Sequence, residues 1–380
     1  MKRISVLIPD AEVRLPVACC LAQSRQAVVH GLARQPALST RGSKFFASFE
    51  NPTAELPVEE WLQRIECIVT EHHIDVVLPI SDFAIRTLSE RREGLAWAAK
   101  LPLLPDPQTL DVATNKAKLA EFLKRRGLPH PPTAVMSGGM TADDVPAALE
   151  FPVLAKPPSS MGGIGIVRLD NRRALADFLA AQPRERRWVV QTQIEGNDLG
   201  INVLCRDGRI LAATAQHAIK RSLQPFHWPA GIELGEDPAA MSLAEKLVRE
   251  LGWSGVANID MRFDARQKIP LLLELNGRYW FTLLGSLNAG VNFPLLACET
   301  CLGEIKANRI PQRTRYFVGR ESVLLSLVGG GSLRIMPRET NLRYFDPLPT
   351  ALASAESATA ALRTAVSRLM PKTAARRLQA

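Results

Sequence analysis

The sequence predicts a mixed α/β and α+β protein, because three parts of the chain carry three different patterns of apolar residues. In residues 1–112, short apolar strands alternate with helix-like stretches, which is typical of a parallel sheet covered by helices. In residues 113–193, one helix precedes short strands that flank a glycine-rich loop. In residues 194–310, longer strands are joined by turn residues, which indicates a mostly antiparallel sheet. Residues 311–380 form a basic C-terminal extension with weaker signals.

Length and composition are those of a globular protein with a substantial core. The chain has 380 residues, of which 46% are hydrophobic and 22% are charged. It contains no run of about 18 apolar residues, so no transmembrane segment is expected, and early acids and prolines argue against a secretory signal peptide. Six cysteines without framework spacing predict reduced thiols and a cytoplasmic location. Cys298 and Cys301 form a lone CxxC, for which buried thiols are preferred over a zinc site.

The positive charge is concentrated at the C-terminal end. The net charge is +9, and residues 304–380 contain 13 Lys and Arg against 5 Asp and Glu. A helix predicted near 354–369, after a glycine turn at 329–331, would dock on the body, contact an acidic partner or touch a membrane surface, and docking is preferred. Nucleic-acid binding is not expected, because aromatic interleaving and a recognisable module are missing.

The first part of the chain is predicted to alternate between strands and helices. Its predicted strands are ISVLIP (4–9), AVVHGLA (27–33) and IDVVLPI (74–80). Segment 58–73 has apolar residues at helical spacing, and a helix from about Thr114 to Arg126 follows a Pro-rich boundary at 101–110. No GxGxxG follows the first strand, which disfavours a dinucleotide-dependent oxidoreductase.

The second and third parts are predicted to be rich in strands. Short strands surround the glycine loop, and one helix is expected near 172–182. Longer strands then run through VVQTQI, GINVLCRDGRILAATAQHA and GVANIDMRFDARQKIPLLLELN. Hairpin turns are expected at Asp207-Gly208 and near 264–268. A helix is expected between the strands, at 239–251.

Two of these strands carry polar side chains on one face. In LLLELNGR, Glu274, Asn276 and Arg278 share a face, and in VANIDMRF, Asp260 lies on the polar face. If the strands pair, Asp260 lies opposite or diagonal to Glu274. Two carboxylates and an amide oxygen suit Mg²⁺, which binds a few protein oxygens together with water and substrate phosphates. A solvated face with an Asp–Arg or Glu–Arg pair is an equally open interpretation of the hairpin alone.

The stretch FPVLAKPPSSMGGIGIVRL combines a strand, a lysine, a flexible loop and a second strand. Ser159, Ser160, Gly162 and Gly163 can present backbone N–H groups to phosphate oxygens, and Lys156 can reach the same anion from the strand end. The stretch is not a Walker A loop, since Gly-Lys-Ser/Thr and a following helix are missing. A glycine hairpin without a ligand is the common alternative.

Two further stretches carry weaker signals for a nucleotide. In VVQTQIEGND, the extended residues 191–194 offer backbone groups to an adenine edge, and Asp198 could bind ribose hydroxyls. In ATNKAKL, Lys116 lies in the first turn of a helix, beside N–H groups that favour a phosphate. An ordinary edge strand and a solvated lysine are the default interpretations of the two stretches.

In this order and spacing, NKAKL, FPVLAKPPSSMGGIGI, VVQTQIEGND and NID…LLLELNGR resemble the ATP-grasp superfamily, from about residue 4 to residue 300. The resemblance implies an ATP-grasp fold. Residues 1–112 would be the preceding parallel α/β domain, 113–193 the linker helix and lid, and 194–310 a central domain with the metal site. Residues 311–380 lie outside the resemblance.

The resemblance also implies a role for each polar group. Lys116 and Lys156 would contact ATP phosphates, and the loop with Ser159, Ser160, Gly162 and Gly163 would close over them. The adenine hinge would be formed by Gln191, Thr192, Gln193 and Ile194, with Gln191 in place of the glutamate usual in the family, and ribose would be bound by Asp198. Asp260, Glu274 and Asn276 would hold two Mg²⁺ ions, with Mn²⁺ as an alternative. Arg278 would stabilise the transferred phosphoryl group, assisted by Lys156 and by Lys220 or Arg221.

The implied reaction is ADP-forming ligation. A small-molecule carboxylate attacks the γ-phosphate, and an amine or similar nucleophile displaces phosphate from the acylphosphate. Two alternatives stay open: a nucleotide-binding sensor or scaffold without turnover, and a carboxylase-type enzyme that phosphorylates bicarbonate. A homodimer and a partner for the C-terminal extension are further expectations.

The loop after the third predicted strand, ISDFAIR, is the substrate-side candidate of the first domain. Ser81, Asp82 and Arg86 could face the substrate cleft that this domain helps to define. The same residues are typical of a helix N-cap followed by solvated charges, and this interpretation is slightly preferred.

Overall fold

A computed structural model of the chain describes residues 3–317, except for 13–14, 38–39, 41, 142, 161, 223–225, 227–228 and 305–310. The helix predicted near 354–369 and the glycine turn at 329–331 lie outside the described residues. Within the described part of the chain, no helix combines the length and apolar character needed to cross a bilayer.

The first unit is a parallel sheet with helices on both faces. Its elements are β1 (Ile4–Ile8), α1 (Leu15–Gln23), β2 (Ala27–Leu32), β3 (Ser48–Glu50), α2 (Val58–Glu71), β4 (Val76–Val77) and α3 (Asp82–Arg91). The strand order is β3-β2-β1-β4, and all pairs are parallel. Side chains of β1 alternate between faces, so Leu7 packs with Trp61 and Ile65 of α2, whereas Val6 and Ile8 pack on the opposite side.

Two short helices connect this unit to the rest of the chain. They are α4 (Pro107–Thr114) and α5 (Lys116–Arg126). The helix predicted from Thr114 therefore begins two residues later, because the side chain of Asn115 accepts hydrogen bonds from Ala117 N and Lys118 N and caps α5. Gly127, with φ 64°, ends α5 as predicted.

The second unit is a small antiparallel sheet with one helix. It contains β5 (Thr133–Ser137), β6 (Val153–Lys156), β7 (Val167–Leu169), α6 (Arg172–Ala180) and β8 (Arg187–Thr192). The strand order is β5-β8-β6-β7. Leu175 and Leu179 of α6 are fully buried against Val153, Trp188 and Val190, which closes the core of this unit.

The third unit is a six-stranded antiparallel sheet. It contains β9 (Gly196–Arg206), β10 (Arg209–Lys220), β11 (Gly231–Gly235), α7 (Pro238–Leu251), β12 (Gly255–Asp264), β13 (Ile269–Asn276), α8 (Leu283–Asn288), α9 (Phe293–Cys301) and β14 (Thr314–Phe317). The order is β13-β12-β9-β10-β11-β14. Asp207 and Gly208 have φ values of 48° and 76° in the turn between β9 and β10, as a tight hairpin requires. The predicted mixed fold class is confirmed.

One face of the central sheet packs on α7, and the other combines polar side chains of β12 and β13 with apolar residues that pack with α8 and α9. Ile201, Ile259 and Leu275 are buried in one cluster with Leu247 and Val248 of α7. The residues that alternate with Ile259 and Leu275 along β12 and β13 point to the opposite side. These two strands therefore present polar side chains toward the second unit. Strand β14 lies in the segment assigned to the C-terminal extension and pairs with β11 at the sheet edge.

Candidate active site

Asp260 and Glu274 form the centre of the polar face. The antiparallel register of β12 and β13 pairs Asp260 with Glu274 and Asn258 with Asn276, and a β-bulge follows Asp260. Asn276 Nδ2 donates to Asp260 Oδ2 at 3.0 Å. Desolvation, and then the charge of Glu274, raises the pKa of Asp260 to about 7. The two carboxylates therefore lie together with an amide, and a cation between them would relieve their repulsion.

Lys116 brings a positive charge to this pair. Its Nζ lies 3.1 Å from Glu274 Oε1 and donates to Ser160 O at 2.6 Å. A backbone hydrogen bond also joins the start of α5 to the loop after β6, since Lys116 N donates to Pro158 O at 2.9 Å. The start of α5, the loop after β6 and the carboxylates of the central sheet are thus brought together, as the sequence predicts.

Lys156 ends β6 and faces the same cleft. Its Nζ donates to Gln191 Oε1 at 2.7 Å, and Gln191 Nε2 donates to Thr133 Oγ1 at 2.9 Å. Desolvation lowers the pKa of Lys156 to about 8, with Glu274 opposing the shift and Lys116 adding to it. The cleft between the second and third units is lined by Lys116, Ala120, Leu123, His130, Lys156, Val189, Gln191 and Leu273.

Arg278 connects the central sheet to the first unit. Its side chain is 8% exposed, and its Nε donates to Asp82 Oδ2 at 2.9 Å. Further bonds run from its guanidinium to Tyr279 O at 3.2 Å and to Asn276 Oδ1 at 3.5 Å. The guanidinium is therefore held beside the Asp260–Glu274 pair by residues of two units.

The loop before α3 corrects the interpretation preferred from the sequence. Ser81 does cap α3, since its Oγ accepts from Ala84 N at 3.1 Å, and Arg86 pairs with Asp111 at 2.7 Å. Asp82, however, is not merely a solvated charge, because its carboxylate binds Arg278. The contact joins positions 196 residues apart, so local sequence patterns did not indicate it.

A buried carboxylate fixes the position of this loop. Asp10, after β1, accepts hydrogen bonds from Ile80 N at 3.2 Å and from Ser81 N at 2.6 Å. Burial raises the pKa of Asp10 to about 7. Asp10 thereby anchors the residue that precedes Asp82, and it was not among the candidates from the sequence.

The glycine loop lies against the central unit. Gly162 and Gly163 have φ values of 62° and 77°, which favour glycine. A Cβ on Gly163 would lie 2.5 Å from the carbonyl oxygen of Phe226, so the loop approaches that backbone closely. Ser159 is exposed, and the carbonyl of Ser160 is occupied by Lys116. The loop therefore covers the lysine end of the cleft.

The predicted hinge, residues 191–194, comprises the end of β8 and the first part of the turn to β9. Thr192 N donates to Pro132 O and Gln193 N to Pro152 O, each at 2.9 Å. Ile194 O accepts from Arg262 Nε at 2.6 Å, and the same guanidinium forms an ion pair with Asp198 through Nη1. Asp198 thus lies near the hinge as expected, but it is already paired with a residue that the sequence analysis did not select.

Lys220 is less closely connected to the site. It is the last residue of β10 and lies opposite Gly231. Within the described residues, no ion pair links it to the carboxylates of β12 and β13. Its role, like that of Arg221, stays a prediction.

A row of polar side chains, linked by hydrogen bonds, runs from Asn276 into the central sheet. Asn276 donates to Asn258 Oδ1 at 3.4 Å, Asn258 to Asn202 Oδ1 at 3.1 Å, and Asn202 to Thr214 Oγ1 at 3.1 Å. Asn202 is fully buried. Strand alternation in GINVLCR and VANIDMRF was the signal that could have found this row. It fixes the amide that contacts Asp260.

The donor set fits a hard divalent cation. Two carboxylates and an amide oxygen are the ligands that Mg²⁺ prefers, and the ammonium of Lys116 stands beside Glu274 where positive charge is favourable. Among the described residues there is no group of three or more His, Cys, Asp and Glu side chains suited to a metal ion. The protein alone thus provides an incomplete shell, as is usual for an ion that also binds substrate phosphates.

Part of the chain matches a known protein family. Residues 184–321 match the family model described as "ATP-grasp in the biosynthetic pathway with Ter operon". A D-alanine–D-alanine ligase of Albidiferax ferrireducens is 25% identical over 206 residues, covering 50% of this chain and 60% of the relative. The resemblance to ATP-grasp proteins that the sequence motifs indicated is therefore confirmed for residues 184–321, and the chain spans less than two thirds of the length of the curated relatives that it matches.

Solved structures show the same fold. An L-amino acid ligase from Bacillus licheniformis has a TM-score of 0.58 at 19% identity, covering 81% of this chain and 78% of the other. The biotin carboxylase domain dimer of a 2-oxoglutarate carboxylase from Hydrogenobacter thermophilus has a TM-score of 0.58 at 18% identity, covering 82% and 72%. That structure contains MgADP, ADP and bicarbonate.

Proposed function

We propose that this protein is an ATP-dependent ligase that joins a small-molecule carboxylate to an amine or similar nucleophile, with release of ADP and phosphate. The observation that carries the proposal is the pairing of Asp260 with Glu274 beside Lys116, Lys156 and Arg278. Phosphoryl transfer needs positioned cations more than a protein nucleophile, and this site concentrates charged groups around one cleft. The similarity to D-alanine–D-alanine ligase and L-amino acid ligase supports the same reaction class.

Asp260, Glu274 and Asn276 would hold two Mg²⁺ ions, for which Mn²⁺ could substitute. When bound, these ions would neutralise triphosphate charge and orient the γ-phosphoryl group. Lys116 and Lys156 would bind phosphate oxygens through their ammonium groups, while the glycine loop excludes water. Arg278 would donate to the transferred phosphoryl group, with Asp82 fixing the direction of its guanidinium.

The proposed reaction balances without a protein nucleophile. A carboxylate oxygen of the substrate attacks the γ-phosphorus, the bond to the β–γ bridging oxygen breaks, and ADP leaves. The amine nitrogen then attacks the acyl carbon, and the bond from this carbon to the phosphoryl oxygen breaks. Inorganic phosphate leaves with that electron pair, and the amine proton passes to solvent.

A bicarbonate-phosphorylating activity is the second candidate, favoured by the similarity to a biotin carboxylase domain. A sensor or scaffold without turnover is the third. The complete set of Asp260, Glu274, Asn276 and Arg278 supports an enzyme over a sensor. The homodimer, the cytoplasmic location and a partner for residues 311–380 stay predictions.

The test is an ADP-release assay on the full-length protein with Mg²⁺ and ATP. Pools of carboxylates and amines are compared with bicarbonate alone. A ligase sustains ADP release over many turnovers only when both a carboxylate and an amine pool are present, whereas sustained release with bicarbonate alone would favour the carboxylase. Glu274→Gln should abolish release, and Glu59→Gln, which removes an exposed carboxylate paired with Arg91, should not.

A further inference from the structure

Arg262 lies on the polar face, two residues beyond Asp260 along β12. At strand spacing this separates the two positions by about 7 Å. Lys116 and Lys156 cluster around Glu274, whereas Arg262 faces the turn between β8 and β9. Arg262 thus contacts the hinge at Ile194, whereas Lys156 contacts it at Gln191 and Lys116 pairs with Glu274.

Two nitrogen atoms of the Arg262 guanidinium, Nε and Nη1, contact other residues of the protein. Nε donates to Ile194 O at 2.6 Å, and Nη1 pairs with Asp198, which lies directly opposite in the register of β9 and β12. Arg262 is 21% exposed and Asp198 is 54% exposed. Arg262 is therefore the more buried member of the pair, and the Asp198 carboxylate stays accessible to a ligand.

The backbone around the hinge is held to the same strand. Gly196 has φ 151°, and a Cβ there would lie 1.8 Å from the carbonyl oxygen of Phe263. Ala265 N also donates to Glu195 O at 3.0 Å. Because Thr192 N and Gln193 N are bonded to prolyl carbonyls, the peptide at Ile194 is fixed from both sides of the turn.

We propose that Arg262 is a positioning residue for the nucleoside half of the nucleotide. It fixes the Ile194 peptide, whose edge faces the base, and it orients Asp198 toward the sugar hydroxyls, without binding the triphosphate itself. This inference rests on the proposed nucleotide site. It deepens that proposal by assigning the nucleoside and phosphate ends of the cleft to different side chains.

Calorimetric titration of the full-length protein separates the two ends. The ligands are ADP, ATP and inorganic tripolyphosphate, each with Mg²⁺, because tripolyphosphate lacks both base and sugar. Arg262→Gln should weaken the binding of ADP and of ATP about tenfold, which is the loss expected for a charged hydrogen bond. The affinity for tripolyphosphate should change less than about twofold. Arg266→Gln is the matched control, since Arg266 lies in the turn of the same hairpin, is 64% exposed and pairs with Glu150, which precedes β6.

Asp198→Asn provides a second route to the same result. It should weaken ADP and ATP but not tripolyphosphate, and the double variant with Arg262→Gln should show less than additive losses. In steady-state turnover, the KM for ATP should rise by a larger factor than kcat falls. This split distinguishes positioning from general loss of structure, which circular dichroism and thermal melting monitor in parallel.

Each outcome decides between the proposals. If the wild-type protein binds neither ADP nor ATP, the nucleotide site fails and the inference with it. If the wild type binds them but Arg262→Gln binds ATP as tightly, or loses ATP and tripolyphosphate equally, the positioning role is wrong while the ligase proposal stands.

Discussion

The Nζ of Lys116 lies 3.1 Å from Glu274 Oε1, so an ammonium group occupies one side of the paired carboxylates. The same ammonium donates to Ser160 O at 2.6 Å, which holds the glycine loop to the start of α5. Binding of a triphosphate with its ion would have to redistribute these contacts. The arrangement therefore couples the cation, the phosphates and the loop.

Replacing Lys116 with Met should change ion and nucleotide affinity in opposite directions. Without the ammonium, Glu274 is left for a divalent ion, so Mn²⁺ alone should bind several-fold more tightly, whereas ATP should bind more weakly because one phosphate donor is lost. Electron paramagnetic resonance titration of Mn²⁺ and calorimetry of ATP measure the two effects. Lys118→Met, on the exposed side of the same helix, is the control. Loss of both affinities in Lys116→Met would contradict the competition.

Asp82→Asn should reduce turnover more than nucleotide binding. The carboxylate holds the buried guanidinium of Arg278, so its loss should let that group leave its position beside Asn276. We expect kcat to fall at least about tenfold, with the Kd for ADP within about twofold, and the free energy of unfolding to fall by about 1 kcal/mol because Asp82 is partly exposed. Steady-state assays measure kcat, calorimetry measures the Kd for ADP, and urea titration measures the free energy of unfolding. Asp111→Asn, which removes the Arg86 pair, is the control, and an equal kcat loss there would count against the role of Asp82.

Nucleotide affinity should depend on pH through Lys156. Its pKa is lowered to about 8, so the side chain is charged below that pH and neutral above it. Triphosphate binding favours the charged form, hence affinity should fall as pH rises through about 8 and binding should take up a proton there. Calorimetry in two buffers of different ionisation enthalpy measures the uptake. Lys156→Gln should abolish it, and persistence of the uptake in that variant would assign it to another group.

Gly163→Ala should damage the loop without unfolding the protein. The positive φ of 77° and the 2.5 Å approach of a Cβ to Phe226 O oppose any side chain at this position. Left-handed geometry alone costs about 1–2 kcal/mol in a non-glycine residue. We expect a higher KM for ATP and a preserved circular dichroism spectrum. Gly94→Ala, where no atom lies within 4 Å of the new Cβ, is the control. Unchanged kinetics in Gly163→Ala would remove the loop from the mechanism.

The register of β12 and β13 could be predicted because it depends on local patterns. Alternation of polar and apolar residues, with a turn near 264–268, predicted Asp260 opposite or diagonal to Glu274 if the strands pair, and the structure pairs the two residues directly. The bulge after Asp260 could not be predicted, since it offsets the register by one residue only within the folded sheet.

Contacts between units that are distant along the chain could not be predicted from the sequence. Asp82 and Arg278 meet only because the first unit docks beside the central sheet, and Asp10 acts on that loop from another strand. Arg262 was visible on the polar face, but its partner Ile194 offers only a backbone carbonyl, which no residue pattern marks.

The central claim is that the paired carboxylates bind a divalent ion that in turn holds the nucleotide. Thermal unfolding with ADP, in the presence and absence of Mg²⁺, tests this claim without a known substrate. ADP at about 100 times its Kd should add about 2.7 kcal/mol of stability to the wild type when Mg²⁺ is present. In Glu274→Gln, the Mg²⁺-dependent part of this gain should disappear. An equal Mg²⁺-dependent gain in Glu274→Gln and wild type would contradict the metal site and the mechanism built on it.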